Sequence, residues 1–332
     1  MIKRTDLIEV MEAVRPGLQE GKTLIDQAEC FVFMDGEVIT FNDEVSVSCP
    51  CDFIDIEGSV RAKEMHAYLK RISDEFITLE QTTDQLRVKA GRKDSGFAFE
   101  AEVRLPVDAI PMPEDDEWHT LPKDFCEALT FVSFSIGKDY SNLVLTNAYI
   151  HDKCVDASDN MRMTRRLLGK KVPVPFFVPI RQLKTLVGYN PVEYAVVGDW
   201  VHFANDFGVI FSVLQVKGSF PDIGKYFETD GTEIKVPAEI TEGAERAEIF
   251  LNSIVQDENL VEVSSDGTGM TITAKGPSGW TKEEFEYKGK EFKFSMPPKF
   301  IQEAFGLVDK AVLTESTIIL NGKEFKHCSA IY

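Results

Sequence analysis

Three segments decide the fold of this chain, because they repeat one pattern at a constant spacing. They are VRAKEMHAYLKRISDEFITLEQTTDQLRV (residues 60–88), VPIRQLKTLVGYNPVEYAVVGDWVHFA (178–204) and MPPKFIQEAFGLVDKAVLTESTIILNG (296–322), and their starts are 118 residues apart. Each segment predicts a short helix, a strand, a turn and a second strand. The helical parts place apolar residues at i, i+3 and i+4 in every copy: Met65, Tyr68 and Leu69; Leu183, Leu186 and Val187; Ile301, Ala304 and Phe305. One face of each helix is therefore expected to be buried.

A second amphipathic helix is predicted before each of these segments. It is expected in TDLIEVMEAV (5–14), KDFCEALTFV (123–132) and AERAEIFLNSIV (244–255), the last about one turn late in the repeat. Asp6 and Asp124 occupy the expected helix starts, where a carboxylate can accept hydrogen bonds from unpaired backbone N–H groups. The runs between the helices alternate apolar and polar residues, and the dipeptides Asp35-Gly36 and Asp266-Gly267 predict hairpin turns in two of them.

These patterns predict an α+β chain of three similar units. The Pro- and acid-rich stretch at 110–122 and the stretch at 222–233 are the expected linkers, so the predicted domains are residues 1–112, 113–230 and 231–332. A chain of 332 residues has room for two or three ordinary domains. No apolar run approaches the roughly 20 residues that a membrane-spanning helix needs.

The charge distribution bears on whether nucleic acid is a partner. A net charge of −19 opposes that interaction unless the cations are concentrated on one surface. Residues 61–71 contain four cations and one acid, 179–189 contain two cations and no acid, and 297–307 contain one of each. Lys63, Arg181 and Lys299 share one repeat position, opposite the apolar face. This column predicts a DNA-facing surface, with a solvated helix face as the alternative.

No catalytic or metal-binding set is predicted. The five histidines, at positions 66, 119, 151, 202 and 327, form no pair with metal-site spacing and suitable partners. The motif Cys49-Pro50-Cys51 lacks a second Cys or His pair at zinc spacing, so reduced thiols are expected. No Ser or Cys lies in a nucleophile-elbow sequence. We therefore predict that the protein is not an enzyme and uses no metal or cofactor.

Three short motifs resemble the bacterial DNA polymerase III beta subunit, the sliding clamp. VDASDNMRMTRR (155–166) is similar to the clamp segment A-T-D-G-H-R-L, VKGSFPDIGKYF (216–227) to G-x-F-P-D-Y, and GKTLIDQ (21–27) to the loop G-x-P-x-L. The resemblance covers essentially the whole chain in the expected domain order. Asn160 and Met161 stand where Gly-His is usual. This departure indicates a divergent member of the family and leaves open a virus-encoded origin.

The resemblance implies a closed ring of two chains, each with three clamp domains, with helices lining the hole and antiparallel sheets outside. A two-chain ring has a common closed symmetry, and pairing of edge strands at its joints removes open sheet edges. Loose, sequence-independent phosphate contacts with double-stranded DNA suffice for such a ring. The predicted DNA-binding residues are Lys22, Lys63, Lys70, Arg71, Arg181, Lys184 and Lys299. Lys22 rests on the resemblance, with a solvated turn as its alternative.

The resemblance also implies an apolar cleft, between the second and third domains, that binds short linear peptides from partners. The matching residues are Leu145, Ser158, Met161, Arg162, Met163, Phe220, Pro221, Lys225, Tyr226, Ile331 and Tyr332. Methionines give an adaptable apolar surface, and an extended peptide with apolar anchors suits it. Core packing is the alternative for Phe220, Met161 and Met163, and a last strand is the alternative for the C-terminal pair.

The implied function is that of a DNA sliding clamp, a processivity factor that tethers a replicative polymerase and other DNA-acting proteins. Its expected partners are duplex DNA, a polymerase, a clamp loader and a second copy of the chain. The expected location is the cytoplasm, or the host-cell cytoplasm for a virus-encoded protein. Two alternatives are a clamp-fold platform that recruits DNA enzymes without serving a polymerase, and an enzyme on a repeated α+β scaffold.

Overall fold

The structure is a computed structural model that describes residues 1–19, 21, 24–251 and 259–332. The elements of its first third are β1 (Ile2–Lys3), α1 (Arg4–Val14), β2 (Cys30–Met34), β3 (Glu37–Phe41), β4 (Val45–Pro50), β5 (Gly58–Arg61), α2 (Ala62–Arg71), β6 (Phe76–Gln81), β7 (Gln85–Ala90) and β8 (Lys93–Glu100). Those of the second are β9 (His119–Thr120), α3 (Phe125–Val132), β10 (Asn147–Ser158), β11 (Arg162–Pro179), α4 (Ile180–Tyr189), β12 (Glu193–Val197), β13 (Trp200–Ala204) and β14 (Ile210–Leu214). Those of the last are β15 (Thr232–Lys235), α5 (Glu239–Glu248), β16 (Val261–Asp266), β17 (Gly269–Gly276), β18 (Gly279–Glu286), β19 (Glu291–Met296), α6 (Pro298–Ala304), β20 (Lys310–Leu313), β21 (Thr317–Asn321) and β22 (Phe325–Ala330).

The predicted repeat is confirmed by the positions of the second helices. Helices α2, α4 and α6 begin at Ala62, Ile180 and Pro298, at the 118-residue spacing of the sequence pattern. The first apolar column, Met65, Leu183 and Ile301, is buried in all three. Each helix is followed by an antiparallel strand pair, as the same segments predict. The mixed α+β class with repeated units is therefore correct.

The first helices agree less closely with their predicted bounds. Helix α1 begins two residues before Asp6, which lies in the first turn, and no side chain caps the helix at Lys3. Helix α5 begins at Glu239, five residues before the predicted start, and part of the predicted segment lies outside the described residues. The reason is that Ile240, Ala244 and Ala247 form its buried stripe, so the helix has no late start.

Asp35-Gly36 forms the predicted hairpin turn between β2 and β3. Both residues have positive φ, 53° and 76°, which is the conformation of a two-residue turn matched to strand twist. Asp266 ends β16, and its carboxylate accepts hydrogen bonds from the backbone N–H groups of Thr268 and Gly269, both at 2.8 Å. Local turn chemistry thus sets the register of these hairpins.

The contacts divide the chain into two compact units. Residues 1–126 and 172–216 form the first, and residues 127–171 and 217–332 form the second. The first unit holds a 12-stranded sheet in the order β1-β6-β7-β8-β5-β2-β3-β4-β14-β13-β12-β9. The second holds a six-stranded sheet, β10-β11-β22-β21-β20-β15, and a four-stranded sheet, β18-β17-β16-β19. The division into three sequence domains stays a prediction.

Each unit contains one antiparallel joint between neighbouring repeats. In the first unit β4 pairs with β14, and Val47 lies opposite Phe211. In the second unit β11 pairs with β22, and Thr164 lies opposite His327. In both joints a strand of one repeat pairs with the last strand of the next repeat, β14 or β22. The chain therefore makes the same joint twice.

Candidate partner-binding and DNA-binding surfaces

The predicted partner cleft begins at the tight turn between β10 and β11. The carboxylate of Asp159 accepts hydrogen bonds from the backbone N–H groups of Met161 and Arg162 at 3.0 and 2.9 Å. Asn160 has a φ of 73°, in the left-handed region that Gly and Asn adopt most readily. The Asn that replaces the usual Gly in this motif therefore suits its conformation.

Alternation along β11 sends the predicted cleft residues to opposite faces of the sheet. Arg162 contacts Phe300 of α6, so its side chain lies on the face that carries the helices. Met163 packs against a separate apolar cluster that includes Ile223 and Phe227, on the other face, which we call the outer face. The two neighbours in the motif thus belong to different environments.

Arg162 is held as a buried structural cation. Its Nε donates to a carboxylate oxygen of Asp159 at 2.9 Å, and an Nη donates to Glu303 of α6. Its guanidinium carbon lies 4.2 Å from the centre of the Phe300 ring, a cation–π distance. The side chain is only 7% exposed, and its guanidinium group already has its partners inside the second unit.

An apolar cluster on the outer face matches the chemistry of a peptide cleft. Ile223, Phe227, Ile319 and Cys328 form its buried floor. The partly buried residues Met163, Phe220 and Val312 pack against that floor. A partly buried apolar rim over a buried floor can accept an apolar anchor side chain of a peptide. We call these seven residues the outer-face cluster.

A stack of aromatic rings extends from this cluster. Tyr149 lies between Phe220 and His151, with ring centres 5.5 and 4.7 Å away and interplanar angles of 20° and 18°. Asp156, 1% exposed, accepts a hydrogen bond from His151 at 3.0 Å, and this bond raises the pKa of the imidazole. Burial raises the pKa of the Tyr149 hydroxyl. The stack therefore combines the neutral Tyr149 hydroxyl with an imidazole whose cationic form is favoured by Asp156.

The other predicted cleft residues are distributed over several environments. Leu145 and Ser158 are buried, whereas Pro221 and Tyr226 are exposed. The Nζ of Lys225 lies 5.1 Å from the ring centre of Tyr226. Ile331 packs against the large apolar core of the second unit, which lies apart from the outer-face cluster. The backbone of Tyr332 pairs with Ser295 through hydrogen bonds of 2.9 and 3.0 Å, so the C-terminus continues as an extended segment.

Four important residues of this surface were not predicted from the sequence. Phe227 and Ile319 supply much of the apolar floor, and Tyr149 and Asp156 organise its polar side. The segment from Phe220 to Phe227 carried a signal, because its apolar residues Ile223 and Phe227 are four positions apart. No local sequence pattern marks Ile319, because only the pairing of β21 with β22 and of β22 with β11 places it two strands from Met163.

The predicted DNA-binding cations are exposed wherever the structure describes them. Lys63, Lys70, Arg71, Arg181, Lys184 and Lys299 are all exposed, and Lys22 lies outside the described residues. Three of them have acidic neighbours: Lys70 and Glu12 are 2.7 Å apart, Arg181 and Glu44 are 3.3 Å apart, and Lys299 and Glu303 are 3.9 Å apart. The hydrogen bond from Lys70 lowers the pKa of Glu12, which therefore stays charged. Exposed pairs of this kind are weak and can exchange for phosphate contacts.

The charge of the last helix pair differs from that of the others. Helix α5 exposes four glutamates at three-residue intervals, Glu239, Glu242, Glu245 and Glu248, against the single cation Arg246. Arg246 is itself paired with Glu283 of β18 at 2.6 Å. The cations of the repeat are therefore concentrated on α2 and α4.

Neither a metal-binding group nor a membrane-spanning helix is found among the described residues. Within residues 1–19, 21, 24–251 and 259–332, no group of three or more His, Cys, Asp or Glu side chains could hold a metal ion. No helix in that part of the chain is long and apolar enough to cross a membrane.

Comparison with solved structures identifies the fold. The sequence matches no family model and no curated protein. The structure is similar to the DNA polymerase III subunit beta of Pseudomonas aeruginosa, with a TM-score of 0.83 and 16% identity over 100% of this chain and 98% of that one. It is similar to a putative DNA polymerase III beta subunit from Eubacterium rectale, with a TM-score of 0.83 and 15% identity over 99% and 98% of the chains. It is also similar to the DNA polymerase sliding clamp of Bacillus subtilis, with a TM-score of 0.79 and 17% identity over 100% and 98%. The chain therefore has, along its whole length, the fold of the bacterial DNA polymerase III sliding clamps.

Proposed function

We propose that this chain is a DNA sliding clamp. Two copies close into a ring around duplex DNA, and the ring tethers a DNA polymerase and other DNA-acting proteins. The observation that carries the proposal is the repeated joint: β4 pairs with β14 and β11 pairs with β22, both antiparallel. Because the chain forms this joint twice within itself, we expect a third joint of the same kind between two copies.

The two strands for this third joint have open edges. Strand β18 is one of the two edge strands of the four-stranded sheet. Strand β8 pairs with β5 only at Glu100 and Phe99, so residues 93–98 have one partner strand among the described strands. Because each copy offers one β8 and one β18, two copies can satisfy both edges head to tail. Three units per chain would then give a ring of six.

In the register that we propose for the third joint, Thr281 lies opposite Lys93 of the second copy. Both residues lie on the face that carries the helices, because Thr281 pairs with the buried Ala274 and Lys93 alternates with Ser95, whose hydroxyl donates to Tyr68 of α2. Trp280 then lies opposite Asp94. The exposed residues of both strands share one face in this register, because Trp280, Asp94 and Gly96 are all exposed. Lys282 would lie opposite Arg92, with Glu284, 2.6 Å from Lys282, as the countercharge.

The second helices supply the surface for duplex DNA. Lys63, Arg181 and Lys299 occupy one exposed column of the repeat, and α2 and α4 add Lys70, Arg71 and Lys184. Exposed cations on helices give phosphate contacts without sequence readout, which a sliding ring requires. The acidic α5 implies that the first two repeats contribute most of the binding.

The outer-face cluster supplies the surface for polymerase and other partners. Met163 and Phe220 form a partly buried rim, and Phe227 lies in the floor. A short linear peptide with apolar anchors fits this arrangement. The clamp loader is expected to use the same cleft. This role requires no catalytic residue, metal or cofactor. We expect the protein to act on DNA in the cytoplasm.

A primed-circle replication assay with the cognate polymerase tests the function. The proposal predicts longer products per binding event when the clamp is present. Unchanged product length with a polymerase that binds the clamp would favour the recruitment platform. In that case the same ring would bring other DNA enzymes to DNA without serving synthesis.

A further inference from the structure

A cavity lies beside the outer-face cluster, on the outer face of the six-stranded sheet. Its volume is about 520 Å³, and it lies between β11, the turn at Gly224–Glu228 and the loop that joins β21 to β22. Leu167, Phe227 and Phe325 give it apolar walls. Phe227 also belongs to the outer-face cluster, so the two sites adjoin. We call this cavity the basic pocket, because its lining contains more cations than acids.

Four cations and two acids line the basic pocket, an excess of positive charge in a chain of net charge −19. The cations are Arg165, Lys225, Lys323 and Lys326, and the acids are Asp222 and Glu228. The three lysines are exposed and have no ion-pair partner within 4 Å among the described residues. The carboxylate of Asp222 accepts a hydrogen bond from the backbone N–H of Gly224 at 2.9 Å. The lysines are therefore available to a ligand.

Arg165 is fixed in the pocket wall. Its Nε and one Nη donate to the two carboxylate oxygens of Asp156 at 2.8 and 2.7 Å. Asp156 is 1% exposed, and the guanidinium carbon of Arg165 lies 5.9 Å from the ring centre of Phe227. A bidentate pair to a buried carboxylate fixes the orientation of the Arg165 guanidinium group. This order suits a preformed binding site.

The orientation of the pocket favours a protein ligand over DNA. Arg162 and Arg166 of β11 contact Phe300 and Phe131, which belong to α6 and α3. Arg165 and Leu167 alternate with them and lie on the opposite face. If the helices face DNA, the basic pocket faces away from it.

We infer that the basic pocket binds an acidic segment that continues from a partner peptide seated on the outer-face cluster. The apolar anchor of the peptide packs against Met163 and Phe227, and its acidic side chains reach Lys323 and Lys326. Partners would then be selected by acidic residues beside their apolar anchors. This inference rests on the peptide cleft in the proposed function.

Two fluorescein-labelled peptides test the inference by fluorescence anisotropy with the full-length protein. LFLGEEEE and LFLGQQQQ share an apolar part and differ only in the charge of the tail. We expect the Glu-tailed peptide to bind about 5- to 30-fold more tightly, the range for two or three partly exposed ion pairs. The combined Lys323→Glu and Lys326→Glu variant should lose this preference and bind the Gln-tailed peptide as before. Lys288→Glu, an exposed lysine distant in sequence from the pocket, is the matched control and should keep the preference.

Each outcome decides one of the two sites. Equal affinity for both peptides overturns the basic pocket but leaves the cleft intact, provided that Met163→Glu abolishes binding. Binding of the Glu-tailed peptide that requires Lys323 and Lys326 but survives Met163→Glu supports the pocket and overturns the cleft. Release of the peptide by duplex DNA, with the ring dimeric, assigns the lysines to nucleic acid and overturns the inference. Binding of neither peptide at millimolar concentration overturns both sites.

Discussion

Replacing Trp280 with Ala should disrupt the ring without unfolding the chain. Trp280 lies on the open edge of β18 and is 69% exposed. In the proposed register it covers the exposed face of β8, where Gly96 and Ala98 leave room for a large side chain. Its exposure in one copy means that truncation removes few contacts there, so the change in unfolding free energy should stay within about 0.5 kcal/mol.

The expected cost to the dimer follows from the area that Trp280 can bury. A Trp side chain buries up to about 250 Å², so the exposed 69% leaves about 170 Å², or about 4 kcal/mol at 25 cal/mol per Å². Interface hot spots lose about 2 to 4 kcal/mol on truncation. A ring has two such joints, so the dimer should weaken by about 4 to 8 kcal/mol, or 10³- to 10⁶-fold.

Sedimentation velocity over a dilution series from micromolar to nanomolar measures this effect. The wild type should remain dimeric at concentrations where Trp280→Ala is monomeric, and both should unfold at the same temperature. Phe207→Ala is the control, because Phe207 is 84% exposed but lies in the loop between β13 and β14, outside both strands of the proposed joint. Equal dimerisation of Trp280→Ala and the wild type would refute the proposed joint.

Four further predictions test the remaining surfaces. The combined change of Lys63, Arg181 and Lys299 to Glu should lower the salt dependence of DNA binding by about 0.9 for each phosphate that the variant no longer neutralises, with the dimer intact; an unchanged slope in a salt titration would remove these helices from the DNA surface. Met163→Glu should abolish partner-peptide binding in an anisotropy titration while the mass of the dimer is unchanged, and wild-type affinity would contradict the cleft. Arg162→Ala should lower the unfolding free energy by about 3 kcal/mol in urea titrations, because Asp159 and Glu303 lose a buried partner, whereas a loss below about 1 kcal/mol would show that the pair is not structural. Burial lowers the pKa of His202 to about 4 and that of His327 to about 3, so below about pH 6.5 the two imidazoles take up protons in the unfolded state but not in the folded state. The free energy of unfolding should therefore fall by up to about 1.4 kcal/mol per pH unit for each group between about pH 6.5 and 4. A His327→Gln variant whose stability has the same pH dependence as the wild type would contradict this.

The sequence predicts the repeat because burial must recur on one helix face. Met65, Leu183 and Ile301 are apolar and buried on that face, and their spacing gives the register of three helices. The start of α5 escaped prediction because Ala244 and Ala247 are weak markers of a buried stripe, and Phe250, a stronger apolar marker, lies beyond the end of the helix. Small residues satisfy packing without giving a clear periodic signal.

The candidate site was predictable only in part because its residues converge through tertiary pairing. The motif around Met163 marks one strand of the cleft, but alternation sends Arg162 to the helix side of the sheet. Ile319 and Cys328 reach the outer-face cluster through strand pairing that no local pattern encodes. The charge of the basic pocket likewise depends on a β21–β22 loop more than 150 residues from Arg165 in sequence.

A covalently closed ring shows directly whether two copies of this chain encircle DNA. Lys93→Cys and Thr281→Cys place one thiol on each side of the proposed joint, and oxidation of the dimer in the presence of nicked circular plasmid should close both joints. We expect the doubly cross-linked dimer to stay on the circular plasmid in detergent and to be released when the plasmid is linearised. A doubly cross-linked dimer that leaves circular and linear DNA equally would contradict a ring that encircles DNA.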